Sequence, residues 1–378
     1  MAERIKVLHI VTRMNVGGVA VLIDNLLENI DPNKFEVQLL CGNCEYPEGD
    51  YLDSRVFNYT RIRPSRFHKS FNFQDDLLAA YSIYKAIKDF KPNIVHTHTS
   101  KAGFLGRIIA RLISPKIKII HTYHGHLLYG YFSKLKLALL VFTEKSLNKL
   151  TNSVIAMGTQ VKNDLVQAKI APEPKFRIFF PGLAHAKKID RSVARKQLNF
   201  KEESIICTFV GRLTQVKRPD RFLEVVALSH DQNNKIEFIV VGDGDLAEDL
   251  KLNAINRQLP ISFLGWRTDI STILSASDML ILTSDNEAVA LTLIEASQLG
   301  IPIVTTPAGS VQDIAKNGVN GYVTDFDPQS LANAVEKLAN NESLRGSMGA
   351  AGESIATQKF SIESMVKAHE NLYLDILK

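Results

Sequence analysis

Two glutamates, Glu287 and Glu295, stand in the stretch Thr283 to Gly300, reading TSDNEAVALTLIEASQLG, with seven residues between them. An ionised carboxylate only accepts hydrogen bonds, so two of them on either side of free backbone amides suit a ligand with hydroxyls at both ends and an anion between. Arg212 and Lys217, in GRLTQVKRP, add a forked guanidinium and a mobile ammonium that together could grip a diphosphate. A third group is imidazole: His96 and His98 in HTHTSKAG, and His121, His124 and His126 in HTYHGHLLYGYFS. Zinc would want three or four ligands backed by carboxylates, yet no acidic residue lies between Phe90 and Phe142, and no metal is expected there. Cys41-Gly42-Asn43-Cys44 has no second pair and reads as loop cysteines.

Strand ends must deliver these groups. Met279 to Leu282 reads as a buried strand, Asp285 and Asn286 break it, and Ala290 to Leu299 reads as a helix closed by Gly300. Glu287 then lies in the loop and Glu295 in the helix, with the amides near Ala290 and Leu291 at its start. Ile301 to Thr305 is a further short strand. Arg212 and Lys217 flank the turn after the strand Ile205 to Val210. Asp243 with Asp245, and Asp325 with Asp327, formally make Asp-x-Asp pairs, but the first is a glycine turn with Asp245 at a helix cap and the second precedes Pro328. A metal-independent reaction is therefore expected. Trp266, in FLGWRTD, either stacks on a base or packs.

The first half follows the same grammar. Ile5 to Thr12 is a strand, and Val19, Leu22, Ile23, Leu26, Leu27 and Ile30 keep helical spacing after a turn holding Gly17-Gly18. Those glycines either serve the turn or let backbone approach a phosphate or acceptor. Residues 42 to 70 read as irregular, and Arg61, Arg63, Arg66 and Lys69 make them a candidate acceptor-side surface. Gln74 to Phe90 and Lys101 to Leu112 read as helices, Ile94 to His98 and Ile117 to Thr122 as strands. In the helix Ser133 to Lys149, Leu135, Leu139 and Phe142 stand among Lys134, Lys136, Lys145 and Lys149, giving either a lysine face over a buried stripe or a helix lying on a membrane surface. Pro181-Gly182 marks the linker.

At 378 residues, 45% hydrophobic and 22% charged, the chain has ordinary globular composition for two or three domains. No apolar run approaches a membrane span, nothing marks export, and an odd count of three cysteines fits a reducing cytosol. The net charge of +5 hides an asymmetry, with 25 Lys and Arg against 15 Asp and Glu up to His185 and 20 against 25 beyond it. A basic first half favours an anionic partner surface. No nucleic-acid motif is visible, and a nucleic-acid partner is not expected.

The Glu, seven residues, Glu spacing resembles that of the retaining glycosyltransferases of family 4, which have the two-domain GT-B fold. The Gly17-Gly18 pair, the His-Gly segment at His124, the Gly-Arg and Lys at Arg212 and Lys217, and the Phe263 to Asp269 loop resemble the family too, across nearly the whole chain. The resemblance implies an α/β fold of two Rossmann-like domains facing a cleft. Residues 1–182 would bind acceptor, 183–360 would bind the nucleotide sugar, and a helix over 361–378 would cross back to the first domain. It implies a hexose or N-acetylhexosamine moved from a nucleotide diphosphate, most simply UDP, to an acceptor hydroxyl, without metal or cofactor. Glu295 would hold the ribose, Glu287 and His124 the transferred sugar, Arg212 and Lys217 the diphosphate, with His98 and Lys101 as weaker candidates. A lipid-linked saccharide at the cytoplasmic face of a membrane is the expected acceptor. Ala288 and Ala290 depart from the family's usual Gly and frequent Pro, and Gly182 to Ala186 lacks its common Asn or Asp. Another GT-B enzyme, an epimerase or phosphorylase, and a non-catalytic sugar-nucleotide-binding protein remain alternatives.

Overall fold

The computed structural model describes residues 3–45, 49–53, 56–125, 128, 133–232 and 235–378. The chain divides into two compact units, one formed by Met1–Gly182 with Ile362–Lys378 and the other by Leu183–Ser361.

The first unit runs β1 (Ile5–Arg13), α1 (Gly18–Asn29), β2 (Phe35–Gly42), β3 (Thr60–Ile62), α2 (Phe73–Phe90), β4 (Ile94–His98), α3 (Ser100–Ile113), β5 (Lys118–Tyr123), α4 (Lys134–Leu150), β6 (Ser153–Met157), α5 (Thr159–Gln167) and β7 (Phe176–Phe179). Its sheet is ordered β3-β2-β1-β4-β5-β6-β7, and every pairing is parallel. Strands buried on both faces need continuous apolar runs rather than alternation, as in Val7, Leu8, Ile10 and Val11. Local chemistry sets the helix ends: the Asn72 side chain accepts from the amides of Gln74 (3.0 Å) and Asp75 (3.3 Å), and Lys91, at φ 52°, ends α2 before Pro92. The stretch expected to be irregular contains β3, a short edge strand whose three residues pair with β2.

The second unit runs α6 (Arg191–Leu198), β8 (Ile205–Val210), α7 (Pro219–Gln232), β9 (Ile236–Val241), α8 (Ala247–Asn256), β10 (Ile261–Gly265), α9 (Ile270–Ala276), β11 (Met279–Leu282), α10 (Leu291–Gln298), β12 (Ile303–Thr305), β13 (Gly321–Val323), α11 (Pro328–Ala339) and α12 (Glu342–Lys359). Its sheet is ordered β10-β9-β8-β11-β12-β13, again all parallel. Phe209, Phe222 and Phe238 pack against one another in its core, Phe222 edge on to Phe238, each burial contributing about 1.5–3 kcal/mol. Asp278 sets the register of β11 on β8: its carboxylate accepts the Ile206 amide at 2.7 Å while pairing with buried Arg195 at 2.7 Å. Asp245 does not cap α8, whose N-cap is Leu246. The last helix, α13 (Ile362–Leu377), belongs to the first unit, where the Asp31 amide donates to Glu370 at 2.8 Å.

Candidate active site

Because the second sheet is parallel throughout, the loops after β8, β9, β10, β11 and β12 leave from one edge. Strand order reverses between β8 and β11, and open α/β sheets bind ligands in the crevice at such a reversal. The loops after these two strands hold each other. Thr283 Oγ1 donates to the carbonyls of Lys217 (3.1 Å) and Arg218 (2.9 Å), and the Asp285 amide donates to the Val216 carbonyl (2.9 Å). Asp285, which read as a strand breaker, receives Arg221 Nη2 at 2.7 Å and Arg218 Nη1 at 3.2 Å.

This brace brings Lys217 and Glu287, 70 positions apart, into an ion pair. Ser284 Oγ donates to the same Glu287 oxygen at 2.6 Å. Glu287 is thus a held acceptor rather than a free nucleophile. Arg212 is exposed on the same loop, and its guanidinium bonds to none of the described residues. Gly309 fixes the Glu287 backbone from the β12 side. It has φ +54°, a Cβ there would lie 1.8 Å from the Glu287 carbonyl oxygen, and the adjacent Ser310 amide donates to that oxygen at 3.1 Å. Gly309→Ala is expected to destabilise the protein by about 1–3 kcal/mol in thermal melts and to lose activity beyond that, since the Glu287 loop must move.

The helix α10 begins one residue later than expected, with Ala290 as its N-cap, and the Leu293 amide bonds back to the Ala290 carbonyl at 3.1 Å. The amides of Leu291 and Thr292 precede the first intrahelical partner and offer donors and a positive dipole end. Residues four apart share a helix face and helical side chains lean toward the N-terminus, so Glu295 shares the face of Leu291. Its carboxyl has no described partner, and burial pushes it up to about 7. Trp266 follows β10 on the same edge and is 58% exposed, so it does not pack as a core residue. Arg212, Lys217, Glu287, Glu295, Trp266 and the α10 amides therefore lie along one edge of one sheet.

In the first unit the order reverses between β1 and β4. Their ends are joined by Thr12 Oγ1 and Thr99 Oγ1 at 2.9 Å. Thr99 has φ 63°, an outlying conformation for a β-branched residue and a mark of stored strain that spacing alone does not reveal. Gly17 is exposed with extended φ, and a Cβ there would meet nothing closer than 3.9 Å. Neither strain nor internal packing therefore requires glycine at Gly17, which stands as the N-cap of α1 with open space beside it. Gly18 opens α1.

His124 is half-buried beside a cavity of about 190 Å³ lined by Thr99, Ser100, His121 and Tyr123. His124 Nε2 lies 2.9 Å from His98 Nδ1, and burial lowers its pKa to about 3. His9, a single polar residue inside the apolar run of β1, pairs in register with His96 and joins His98 at 3.1 Å. Three imidazoles, His9, His96 and His98, stand close enough to share an ion, but His9 and His98 are at hydrogen-bond distance from each other, His96 bonds to Tyr373 and Thr122, and no carboxylate among the described residues bonds to the three. His121 turns instead to Thr97 Oγ1 at 2.8 Å, and His126 lies outside the described residues. Lys101 is buried, paired with Asp76 and donating to the Ser70 carbonyl at 2.6 Å, a structural engagement. Arg63 is paired with Asp50, and Arg66 with Asp75 at 3.1 Å. Burial pushes the Cys41 thiol up to about 12, which removes it as a reactive thiolate.

Two doubly wound parallel sheets in one chain, each with polar groups at its reversal point, make an α/β fold of the GT-B class, and the comparisons agree. Residues 16–185 match the family model described as Glycosyltransferase Family 4, and residues 190–355 that described as Glycosyl transferases group 1. The chain belongs to glycosyltransferase family 4. It is 29% identical, over 99% of its length and 98% of the relative's, to the UDP-Gal:alpha-D-GlcNAc-diphosphoundecaprenol alpha-1,3-galactosyltransferase of Escherichia coli. The structure of Anabaena Alr3699/HepE in complex with UDP and glucose matches with a TM-score of 0.80 at 20% identity, over 98% of this chain and 99% of that one. Sucrose-phosphate synthase from Thermosynechococcus elongatus matches with a TM-score of 0.82 at 18% identity, over 99% of both chains. Those two likenesses concern the fold.

Proposed function

We propose that this glycosyltransferase transfers a hexose or N-acetylhexosamine from a UDP sugar to a lipid-linked saccharide, with retention of anomeric configuration and without metal. The observation that carries the reading is the Lys217 and Glu287 pair at the β8 and β11 reversal, beside exposed Arg212 and the first amides of α10. The sequence relative's named donor and acceptor, UDP-galactose and a GlcNAc-diphospholipid, support the substrate classes. The bond between the anomeric carbon and the diphosphate oxygen breaks with its electron pair staying on that oxygen. Arg212, Lys217 and the amides of Leu291 and Thr292 stabilise the growing charge. Glu287 and His124 orient the sugar, and Glu295 the ribose. The acceptor hydroxyl attacks from the face the phosphate leaves, and the phosphate takes its proton. Arg212 and Lys217 supply the positive charge that a metal would otherwise bring.

The test is incubation with UDP-galactose, UDP-glucose, UDP-GlcNAc and GDP-mannose and a GlcNAc-diphospholipid in chelator, with the product's anomeric configuration read by NMR. An α-linked product from one α-configured UDP sugar is expected. A β-linked product, strict metal dependence, or donor hydrolysis or epimerisation without transfer contradicts the reading.

A membrane-surface site for this reaction has its own support. No helix of the described residues is long and apolar enough to cross a membrane. The stripe on α4, for which the spacing leaves both a buried and a membrane-facing placement open, is exposed: Leu135 is 83%, Leu139 66% and Phe142 69% accessible, while Glu144, Leu147 and Asn148 face inward. Phe73, Leu77, Tyr81 and Tyr84 are likewise exposed along α2. Residues 71–150 hold 12 Lys and Arg against 4 Asp and Glu. Exposed aromatic and aliphatic side chains among lysines suit an anionic headgroup layer. Vesicles containing phosphatidylglycerol are expected to bind the protein at low salt. Replacing Lys134, Lys136, Lys145 and Lys149 by glutamine should weaken that partition by about 10²–10³. Equal partition onto neutral and anionic vesicles contradicts this site.

A further inference from the structure

A continuous hydrogen-bonded chain of buried side chains runs through the first unit and ends at His124. His124 Nε2 lies 2.9 Å from His98 Nδ1, and His98 Nε2 lies 3.1 Å from His9 Nδ1. His9 Nε2 lies 3.4 Å from the Tyr373 hydroxyl on α13, which lies 2.7 Å from His96 Nδ1. His96 Nε2 reaches Thr122 Oγ1 at 2.7 Å. The remaining nitrogen of His124, Nδ1, is buried and has no partner among the described residues.

Burial holds all four imidazoles neutral at physiological pH, His9 at about 3 and His96 and His98 well below the usual histidine range. A neutral imidazole has one donor and one acceptor, and the phenol has one proton. With the phenol donating to one of its two imidazole neighbours and accepting from the other, every link in the chain points the same way. If one direction holds, all four histidines carry their proton on Nε2; if the other, all four carry it on Nδ1. The two bonds at Tyr373 decide between them. A hydroxyl donor makes the shorter bond, and the 2.7 Å contact to His96 Nδ1 is that length, whereas the 3.4 Å contact is a weak bond accepted from His9 Nε2–H.

We propose that Tyr373, acting through His9 and His98, is a positioning residue that fixes the Nε2–H tautomer of His124 and so presents its bare Nδ1 as an acceptor for a sugar hydroxyl. The kinetic half of this rests on the assignment of His124 to the donor sugar; the tautomer half does not. His369 lies outside the chain and provides a reference, since its Nδ1–H donates to the Met365 carbonyl at 2.8 Å.

Long-range nitrogen-proton NMR of the wild-type protein tests the chain without any substitution. His9, His96, His98 and His124 are expected as Nε2–H tautomers, against Nδ1–H for His369. A mixture of tautomers among the four, or Nδ1–H throughout, overturns the proposal. Tyr373→Phe keeps the ring against Phe35 and removes only the hydroxyl. It is expected to populate a second tautomer at His124 and to lower kcat/KM for donor about tenfold, the worth of one hydrogen bond. That loss should vanish in a His124→Ala background. An unchanged His124 tautomer in Tyr373→Phe overturns the link to α13. If His124→Ala itself transfers sugar normally, the assignment of His124 to the donor fails, and the NMR result alone judges the chain.

Discussion

Lys217→Ala is expected to lower turnover by about 10²–10³, the range for losing one preorganised donor aimed at developing charge. Two effects combine in that figure. The ammonium leaves the place where the diphosphate gathers charge, and Glu287 keeps only Ser284 as a side-chain donor. Glu287→Gln separates them. Where Lys217 acts mainly on the leaving group, Glu287→Gln retains most of the turnover and adds its loss to that of Lys217→Ala in the double variant. Where Lys217 acts mainly by holding Glu287, the double variant is no worse than either single one. Initial rates at saturating donor read the difference, and thermal melts of each variant check folding. Near-normal turnover in Lys217→Ala would remove the residue from the reaction.

Glu295→Gln is expected to weaken UDP binding about 10- to 100-fold at pH 8, the worth of hydrogen bonds to a charged acceptor. It should also flatten a pH dependence. In the free protein the carboxyl is raised from 4.5 to about 7 because burial penalises its ionised form. The folded state then binds more protons than the unfolded one between these values, so this group's contribution to stability falls as pH rises from about 4.5 through 7. Ribose hydroxyls donating to the carboxylate favour the ionised form, so a bound nucleotide lowers that pKa and its binding releases a proton. Glu295 should make UDP affinity rise with pH by up to about tenfold per unit below 7 and level off above it, while Glu295→Gln keeps only the shallower dependence set by the terminal phosphate of UDP, whose second pKa is about 6. The variant should also melt higher than wild type at pH 8 without ligand. Calorimetry across pH 5.5 to 8.5 reads both trends, and a wild-type profile no steeper than the variant's excludes Glu295 as the ribose acceptor.

Much of the second unit is legible in its residues. Met279–Leu282 is the strand that its apolar run announces, and the helix after it differs from expectation by one residue at each end, where the cap conformation at Ala290 and the turn before Gly300 decide the boundary. The pairing of Lys217 with Glu287 is not legible, because it depends on β8 and β11 lying side by side with the strand order reversed. Asp285 illustrates the same limit: a polar residue after a strand signals a break, and only the fold shows that it anchors Arg218 and Arg221. His9 looks like one polar interruption of a core strand until β1 pairs with β4 and sets it opposite His96. The exposure of Leu135, Leu139 and Phe142 was open in the sequence, since spacing defines a stripe on a helix but not which side turns toward the sheet.

The most direct test of the donor site is calorimetric titration of UDP, GDP and ADP, with chelator and with magnesium, into wild type and Glu295→Gln. Binding of UDP in preference to the others, unchanged by chelator and weakened in the variant, is the expected result. No binding of any nucleotide, or equal binding by wild type and variant, would contradict a donor site formed by the edge that joins Lys217, Glu287 and Glu295.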